Sequence, residues 1–503
     1  MKSQTPPSGF TFKYIKDDLP AGIVVFLVAL PLCLGIALAS GAPLFSGIIA
    51  GVVGGLVVSS FSGSALSVSG PAAGLSVIVL NGIANVGSYE AFLLAVVMAG
   101  LLQIVLGYLK AGNIGYFFPS SVIKGMLAAI GIILLIKQAP VAIGYKKGGA
   151  SYFHAGALAV SVISLLIMIL WELPAVKKIK AFKWIPGALV AVVVGTLLNG
   201  YFISAKPEWA LGADMLVRLP VAASTSDFIG QFILPDFSAL TNYNVYIMAF
   251  TIAIIASIES LLTIEAADKM DPHKRITPTS RELKAQGIGN LVSGLLGGLP
   301  LTAVIVRTSA NINAGGKTKL SPIIDGLLLS LSVICLATLL NKIPLACLAA
   351  VLMVVGYKLA NISLFKSIYK LGWVQFLPFI ITIVAVQFSD LLKGIALGML
   401  VSFFYILRAN YRRDYHMHER WEENGGKIEI KLAESVTFLH KGRILRRLSE
   451  IPDGAQVHID GSDTQYIDLE ILEVIHNFKE TASGKNIRLE LTQIPSVTGN
   501  AAH

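Results

Sequence analysis

Two ionisable side chains of opposite sign stand inside apolar runs of this 503-residue chain. Glu259 lies deep in a long run, within Ala256-Ser-Ile-Glu-Ser-Leu-Leu-Thr263. A carboxylate near the middle of a bilayer is costly unless it is paired, protonated or hydrated, and such groups are functional by default. On a helix Glu259 and Thr263 are i,i+4 neighbours and share a face, while Glu265 turns away. Two readings are open: Glu259 takes up a proton or, with Thr263, holds a sodium ion (the only metal role the sequence suggests), or it is a structural group satisfied by nearby backbone. Arg307 follows Pro300 at a spacing of about two helical turns and cannot lose its proton. It contacts an anion, neutralises Glu259, or locks two helices together as an ion pair.

The elements that must position these groups are marked by two short breaks in apolar runs. They are Ser69-Gly-Pro-Ala-Ala-Gly-Leu-Ser76 and Gly297-Gly-Leu-Pro-Leu-Thr-Ala303, one in each half. Proline fits the first turn of a helix, where its missing N–H has no helical partner, so half-helices are predicted over Pro71–Ile83 and Pro300–Ile312. A helix starting inside the bilayer points free N–H groups and a positive dipole end at whatever lies before it, and anions sit there. Paired broken segments in corresponding positions of two halves mark a transporter's substrate site. The anion-site candidates are therefore Ser69, Gly70, Pro71, Ala72 and Ala73, then Pro300, Leu301, Thr302 and Ala303, with Arg307. Ser76, Thr308 and Ser309 add hydroxyls that could equally serve their own backbone.

Composition defines the class. Hydrophobic residues make up 54% of the chain and charged ones 14%, with a mean hydropathy of +0.72, against roughly 25% charged residues in soluble domains. About fourteen runs fit bilayer spans. In the first half they fall near Leu19–Ala39 (with Pro31 inside), Leu44–Ser60, the first half-helix, Phe92–Leu109, Ser120–Ile136, Ala155–Leu170 and Ile185–Tyr201. A polar loop with Trp209, Arg218 and Asp227 leads to the second half. Its spans are Val245–Ala267, Ile288–Leu296, the second half-helix, Leu320–Leu340, Leu345–Leu359, Val374–Phe388 and Leu391–Leu407. An odd number of spans per half inverts the second copy, so a 7+7 inverted repeat is expected, with repeats over about 18–203 and 242–408. A transmembrane domain over 1–412 then precedes a polar cytoplasmic domain over 413–503.

The net charge of +10 does not point to nucleic acid. Lys177, Lys178, Lys180 and Lys183 share one loop; Lys269, Lys274, Arg275, Arg281 and Lys284 share another; Arg408, Arg412 and Arg413 follow the last span. With an even span count all three clusters face the cytoplasm together with both termini, Lys146 and Lys147 being the exceptions. The expected location is the inner (plasma) membrane, with no cleavable signal peptide before Leu19. Cys33, Cys335 and Cys347 all lie in apolar runs and read as inert buried thiols. His416 and His418 read as juxtamembrane surface. No nucleophile–base pair or ligand cluster suggests an enzyme, and no cofactor is expected beyond sodium as a possible coupling ion.

Nearly the whole chain resembles the sulfate permease family of anion transporters, with a STAS-type domain at its end. The resemblance is carried by Val28-Ala-Leu-Pro31, Ser69-Gly-Pro71, Ser257-Ile-Glu-Ser-Leu-Leu-Thr263, Gly287-Ile-Gly-Asn290 and Gly298-Leu-Pro300. It continues through Arg307-Thr-Ser-Ala-Asn311, Gly315-Gly-Lys-Thr318 and Ile343-Pro-Leu-Ala346. It implies fourteen spans in core and gate domains, an anion site between the third and tenth helices, a homodimer, and sodium or proton coupling or exchange. Val306 departs from the family's Ser before the arginine, and Leu301-Thr-Ala-Val-Ile-Val-Arg307 is similar to a subgroup associated with bicarbonate. Bicarbonate symport is thus set beside proton-coupled sulfate uptake and an uncoupled exchanger or channel. A nucleobase symporter would share the architecture but usually carries acidic groups where Arg307 stands. In the tail, Gln456-Val-His-Ile-Asp-Gly-Ser-Asp-Thr-Gln-Tyr-Ile-Asp468 resembles the STAS strand and loop. Asp460, Ser462 and Asp468 match that pattern, and Leu469 replaces the phosphorylatable Ser.

Overall fold

Glycine and proline divide the apolar runs, and helices fill the stretches between them. The computed structural model describes residues 11–112, 119–145, 153–173, 176, 185–221, 230–389, 391–411, 415–420, 427–437 and 440–495. Lys146, Lys147, Lys177, Lys178, Lys180, Lys183, Asp227, Arg412 and Arg413 lie outside the described residues.

The first half contains α1 (Ile15–Ala39), α2 (Leu44–Phe61), strand β1 (Ser69–Pro71), α3 (Ser76–Val86) and α4 (Tyr89–Tyr108). It continues with α5 (Ser120–Ala142), α6 (Ala155–Glu172) and α7 (Gly187–Ala205). The second half repeats the order: α8 (Tyr243–Met270), α9 (Thr279–Leu295), strand β2 (Leu301–Ala303) and α10 (Ile305–Asn313). Then come α11 (Leu320–Leu340), α12 (Leu345–Leu359), α13 (Trp373–Phe388) and α14 (Leu391–Tyr411). Among the described residues ten helices are long and apolar enough to cross a membrane, with α3 and α13 as shorter apolar ones. Helices α9 and α10 complete the seven-plus-seven arrangement. A strand and a shortened helix occupy the third place of each half.

In lipid, helices associate through close packing and polar contacts rather than water exclusion. The packing of α4 on α9 shows this. A Cβ placed at Gly100 would lie 2.5 Å from the Leu291 nitrogen, and one at Gly287 would lie 2.7 Å from the Gly100 carbonyl oxygen. The side of α9 turned inward carries Glu282, Gln286, Asn290 and Ser293, all fully buried. Cys33 and Cys347 are buried as expected, whereas Cys335 is exposed on α11, because the lipid-facing side of a span needs only apolar character.

The chain divides into two compact units, Met1–Met399 and Leu400–His503. In the second, β3 (Tyr415–Arg420), β4 (Lys427–Leu432), β6 (Gln456–Asp460) and β8 (Arg488–Thr492) form one sheet in the order β3-β4-β6-β8. β3 is antiparallel to β4, and the other neighbours are parallel. A small parallel pair joins β5 (Ser435–Val436) to β7 (Tyr466–Ile467). Helices α15 (Lys441–Ser449) and α16 (Leu469–Gly484) add Ile444, Ile471, Ile475 and Phe478 to a core containing Ile430, Val457 and Ile459. The strand expected at the start of Gln456–Asp468 is β6. His416 and His418 fall on β3.

Candidate functional site

Neither half-helix starts at its proline. Pro71 belongs to β1, and Pro300 immediately precedes β2; the two strands pair antiparallel, with Ser69 opposite Ala303, Gly70 opposite Thr302 and Pro71 opposite Leu301. The ladder continues with the Val304 N–H donating to the Val68 carbonyl (2.9 Å). An extended residue before each helix satisfies backbone groups that a helix starting at proline would leave idle. The helices begin further on, with a 3-10 turn at Ala73–Leu75 leading into α3 and Ile305 opening α10.

Neither helix start is capped by a side chain. In α10 the first helical bond runs from the Thr308 N–H to the Val304 carbonyl (2.9 Å), so Ile305, Val306 and Arg307 have no intrahelical acceptor. Ile305 and Val306 are exposed while Arg307 and Thr308 are buried. The three-residue strand pair thus holds two uncapped, positively polarised helix ends from opposite halves, one at each of its ends. That arrangement can hold a small anion without a charged ligand.

Glu259 stands at the α3 end. A Cβ built on Gly74 would lie 2.7 Å from Glu259 Oε1 and 2.8 Å from Oε2, so only glycine lets the carboxylate approach this turn. Its Oε2 is buried and has no hydrogen-bond partner among the described residues. Thr263 is buried one turn further along the same face of α8. Glu265 points elsewhere and pairs with Lys269 at 2.5 Å.

Arg307 does something narrower than the three roles left open by the sequence. It is fully buried and ion-paired with buried Asp325 of α11. Its Nη1 also donates to the Ser69 carbonyl at 3.3 Å, and its guanidinium fills the space a side chain on Gly70 would need. The ion pair links α10 to α11, and Asp325, rather than Glu259, is the counter-ion of Arg307.

The hydroxyls are mostly engaged. Ser69 Oγ accepts from Gln286 Nε2 (2.8 Å), Ser76 Oγ donates to the Ala73 carbonyl (2.7 Å), and Thr302 Oγ1 donates to the Ala303 carbonyl (3.1 Å). Thr308 Oγ1 accepts from the Val68 N–H (3.1 Å), and Ser309 Oγ lies 3.7 Å from Met270 Sδ. Ala72, Leu301 and Ala303 are buried in or beside the strand pair, and Ala73 is partly exposed. Around the two helix ends, backbone supplies more of the free polarity than side chains do.

A second set of residues builds the strands' seat. Asn290 grips the Leu301 peptide from both sides, accepting from its N–H (2.7 Å) and donating to its carbonyl (3.0 Å). Asn290 also donates to Gln103 Oε1 (2.7 Å), Gln103 reaches Ser257 Oγ (3.2 Å), and Ser260 Oγ accepts from the Ala303 N–H (3.2 Å). The signal for this set is the spacing of Glu282, Gln286, Asn290 and Ser293, which puts four polar residues on one helix stripe. Asp325 would have emerged from the reasoning applied to Glu259, as a lone acid in the run Leu320–Leu340. Among the described residues no cluster of three His, Cys, Asp or Glu side chains could hold a metal.

Two half-helices flanking a strand pair, with an unpartnered carboxylate oxygen beside them, are the arrangement of a membrane transporter of small ions. A family model described as the sulfate permease family matches residues 15–382, and the chain belongs to that family. The putative sulfate transporter YvdB of Bacillus subtilis is 28% identical over 419 residues, spanning 80% of this chain and 75% of its own. The bicarbonate transporter BicA of a Picosynechococcus species is 28% identical over 412 residues, spanning 78% of this chain and 70% of its own. The solved transmembrane domain of a cyanobacterium bicarbonate transporter BicA superposes with a TM-score of 0.67 at 27% identity, covering 77% of this chain and 98% of that one. The murine Solute Carrier 26 family member A9 anion transporter, in the inward-facing state, shares the fold. Its TM-score is 0.78 at 16% identity, over 97% of this chain and 87% of that one. The protein is thus a multi-pass membrane anion transporter of this family.

Proposed function

We propose that the protein is a secondary active transporter for bicarbonate, driven by a cation and working by alternating access. The observation that carries this reading is Glu259, a half-buried carboxylate whose Oε2 is buried without a partner among the described residues, set against the N-terminal turn of α3. A negative group beside an anion-binding helix end opposes anion binding until a proton or cation joins it. Binding of anion and cation is then mutually favourable, which is the thermodynamic content of symport. Thr263, one turn along, supplies a hydroxyl oxygen for sodium. The seat for bicarbonate is the free backbone of Ala73, Gly74, Ile305 and Val306. Val306 supports bicarbonate over sulfate, because no hydroxyl at that position adds a donor for a fully ionised oxyanion. The relatives BicA and YvdB are named for bicarbonate and for sulfate respectively, so proton-coupled sulfate uptake is the competing assignment.

In the same proposal both termini are cytoplasmic, on the side of the basic segment around Lys269, Lys274, Arg275, Arg281 and Lys284, and the membrane is the inner (plasma) membrane. The α/β unit at the end is a STAS-type domain that supports a homodimer or regulates it.

The test is uptake of labelled bicarbonate and labelled sulfate into proteoliposomes, under an inward sodium gradient and then an inward proton gradient. Sodium-driven bicarbonate accumulation is expected. Proton-driven sulfate accumulation without bicarbonate uptake would replace this reading with the competing one.

A further inference from the structure

We infer that Asp325 sets the valence of the anion this site accepts, by cancelling the charge of Arg307. The inference rests on the symport reading above and concerns the same site.

The family's tenth-helix arginine is present here, yet it does not add net charge. Arg307 and Asp325 are both buried and form an ion pair. The remaining contacts of the guanidinium are the Ser69 carbonyl at 3.3 Å and Cys33 Sγ at 3.9 Å. The pair is not saturated: Arg307 Nε and Asp325 Oδ1 are both buried without a hydrogen-bond partner among the described residues. Replacing such a pair by apolar residues is often neutral or stabilising, so a buried pair is weak support for a stability role. Its position, directly under β1 and within the first turn of α10, gives it an electrostatic one.

The charges around the seat then balance at a single value. Each helix N-terminus contributes roughly half a positive unit, so α3 and α10 together offset about one negative charge. Arg307 and Asp325 sum to zero. Glu259 is neutral when protonated and is matched by the coupling cation when ionised. One monovalent anion is compensated, and a divalent one leaves a negative charge buried in a low-dielectric region, where charge interactions are strong. Freeing the positive charge of Arg307 reverses this preference, because a dianion gains twice what a monoanion gains from each added unit of charge.

The experiment measures the ratio of sulfate to bicarbonate affinity, from the rise in melting temperature of the purified 503-residue chain titrated with sodium sulfate or sodium bicarbonate. Sodium and pH are held constant. In Asp325→Asn the ratio should rise at least about tenfold, equivalent to ~1.4 kcal/mol. The double variant Arg307→Gln/Asp325→Asn removes both charges and should stay within about threefold of the parent. Should Asp325→Asn fail to fold, Val306→Lys adds the same unit at an exposed position of the same turn and should raise the ratio likewise. An unmoved ratio in the variant that folds, or a double variant that shifts as far as the single one, overturns the inference. A parent that prefers sulfate refutes the bicarbonate assignment instead, and the change between parent and variant still reads the role of Asp325.

Discussion

The two arms of the strand pair share a topology and differ in chemistry. The β1–α3 arm is made of small, uncharged residues from Ser69 to Gly74, and its one carboxylate is lent by α8, which reaches it because Gly74 has no side chain. The β2–α10 arm carries its own charge in Arg307, buried and matched by Asp325 of α11. One arm thus keeps an unmatched group whose protonation or ion binding can change during a cycle. The other is electrically closed and holds the geometry. Duplicated architecture has become a division between a variable side and a fixed side.

Substitutions can break or sharpen that contrast. Arg307→Ala should have the largest effect, because it leaves Asp325 buried without a counter-ion. A loss of about 3–5 kcal/mol is expected, read as a lower melting temperature in detergent. Asn290→Ala strips the N–H and the carbonyl of Leu301 of their partners together. At roughly 1–3 kcal/mol for a buried unsatisfied group, it should cost about 3 kcal/mol by the same measurement and weaken anion binding. Glu259→Gln should leave the melting temperature nearly unchanged while gradient-driven accumulation falls at least about tenfold, ~1.4 kcal/mol in barrier terms. Accumulation equal to the parent's would show that the first arm is as closed as the second. Ser69→Ala should do least. Its hydroxyl is already committed to Gln286, so a stability loss of about 1 kcal/mol with uptake within about twofold is expected, and a large loss of uptake would place that hydroxyl on the anion.

What could be read from the sequence follows from the range of the interactions involved. Pro71 and Pro300 mark the broken segments correctly, since proline's effect is local. Their assignment to the first helical turn fails because β1 and β2 are stabilised by each other, across more than half of the unit, and nothing local announces a three-residue strand. Glu259 stands out because an acid in an apolar run is conspicuous. Arg307 stands out equally, but its partner Asp325 is brought to it from α11 by the tertiary fold, which composition does not reveal. The stripe Glu282, Gln286 and Asn290 has a regular spacing, but those residues mask it by making α9 one of the least apolar helices in the membrane unit.

Asp18, at the start of α1, accepts hydrogen bonds from the Lys317 N–H (2.6 Å), the Thr318 N–H (3.0 Å) and the Thr318 hydroxyl (2.5 Å), and it is fully buried. These partners lie 299 and 300 residues further along the chain. At typical synthesis rates of about 5–20 residues per second, they emerge from the ribosome roughly 15–60 s after Asp18 does. Helix α1 is therefore finished only long after it is made. Until α10 and α11 arrive, its leading end carries an acid whose acceptor oxygens only water, lipid headgroups or an insertion factor can serve.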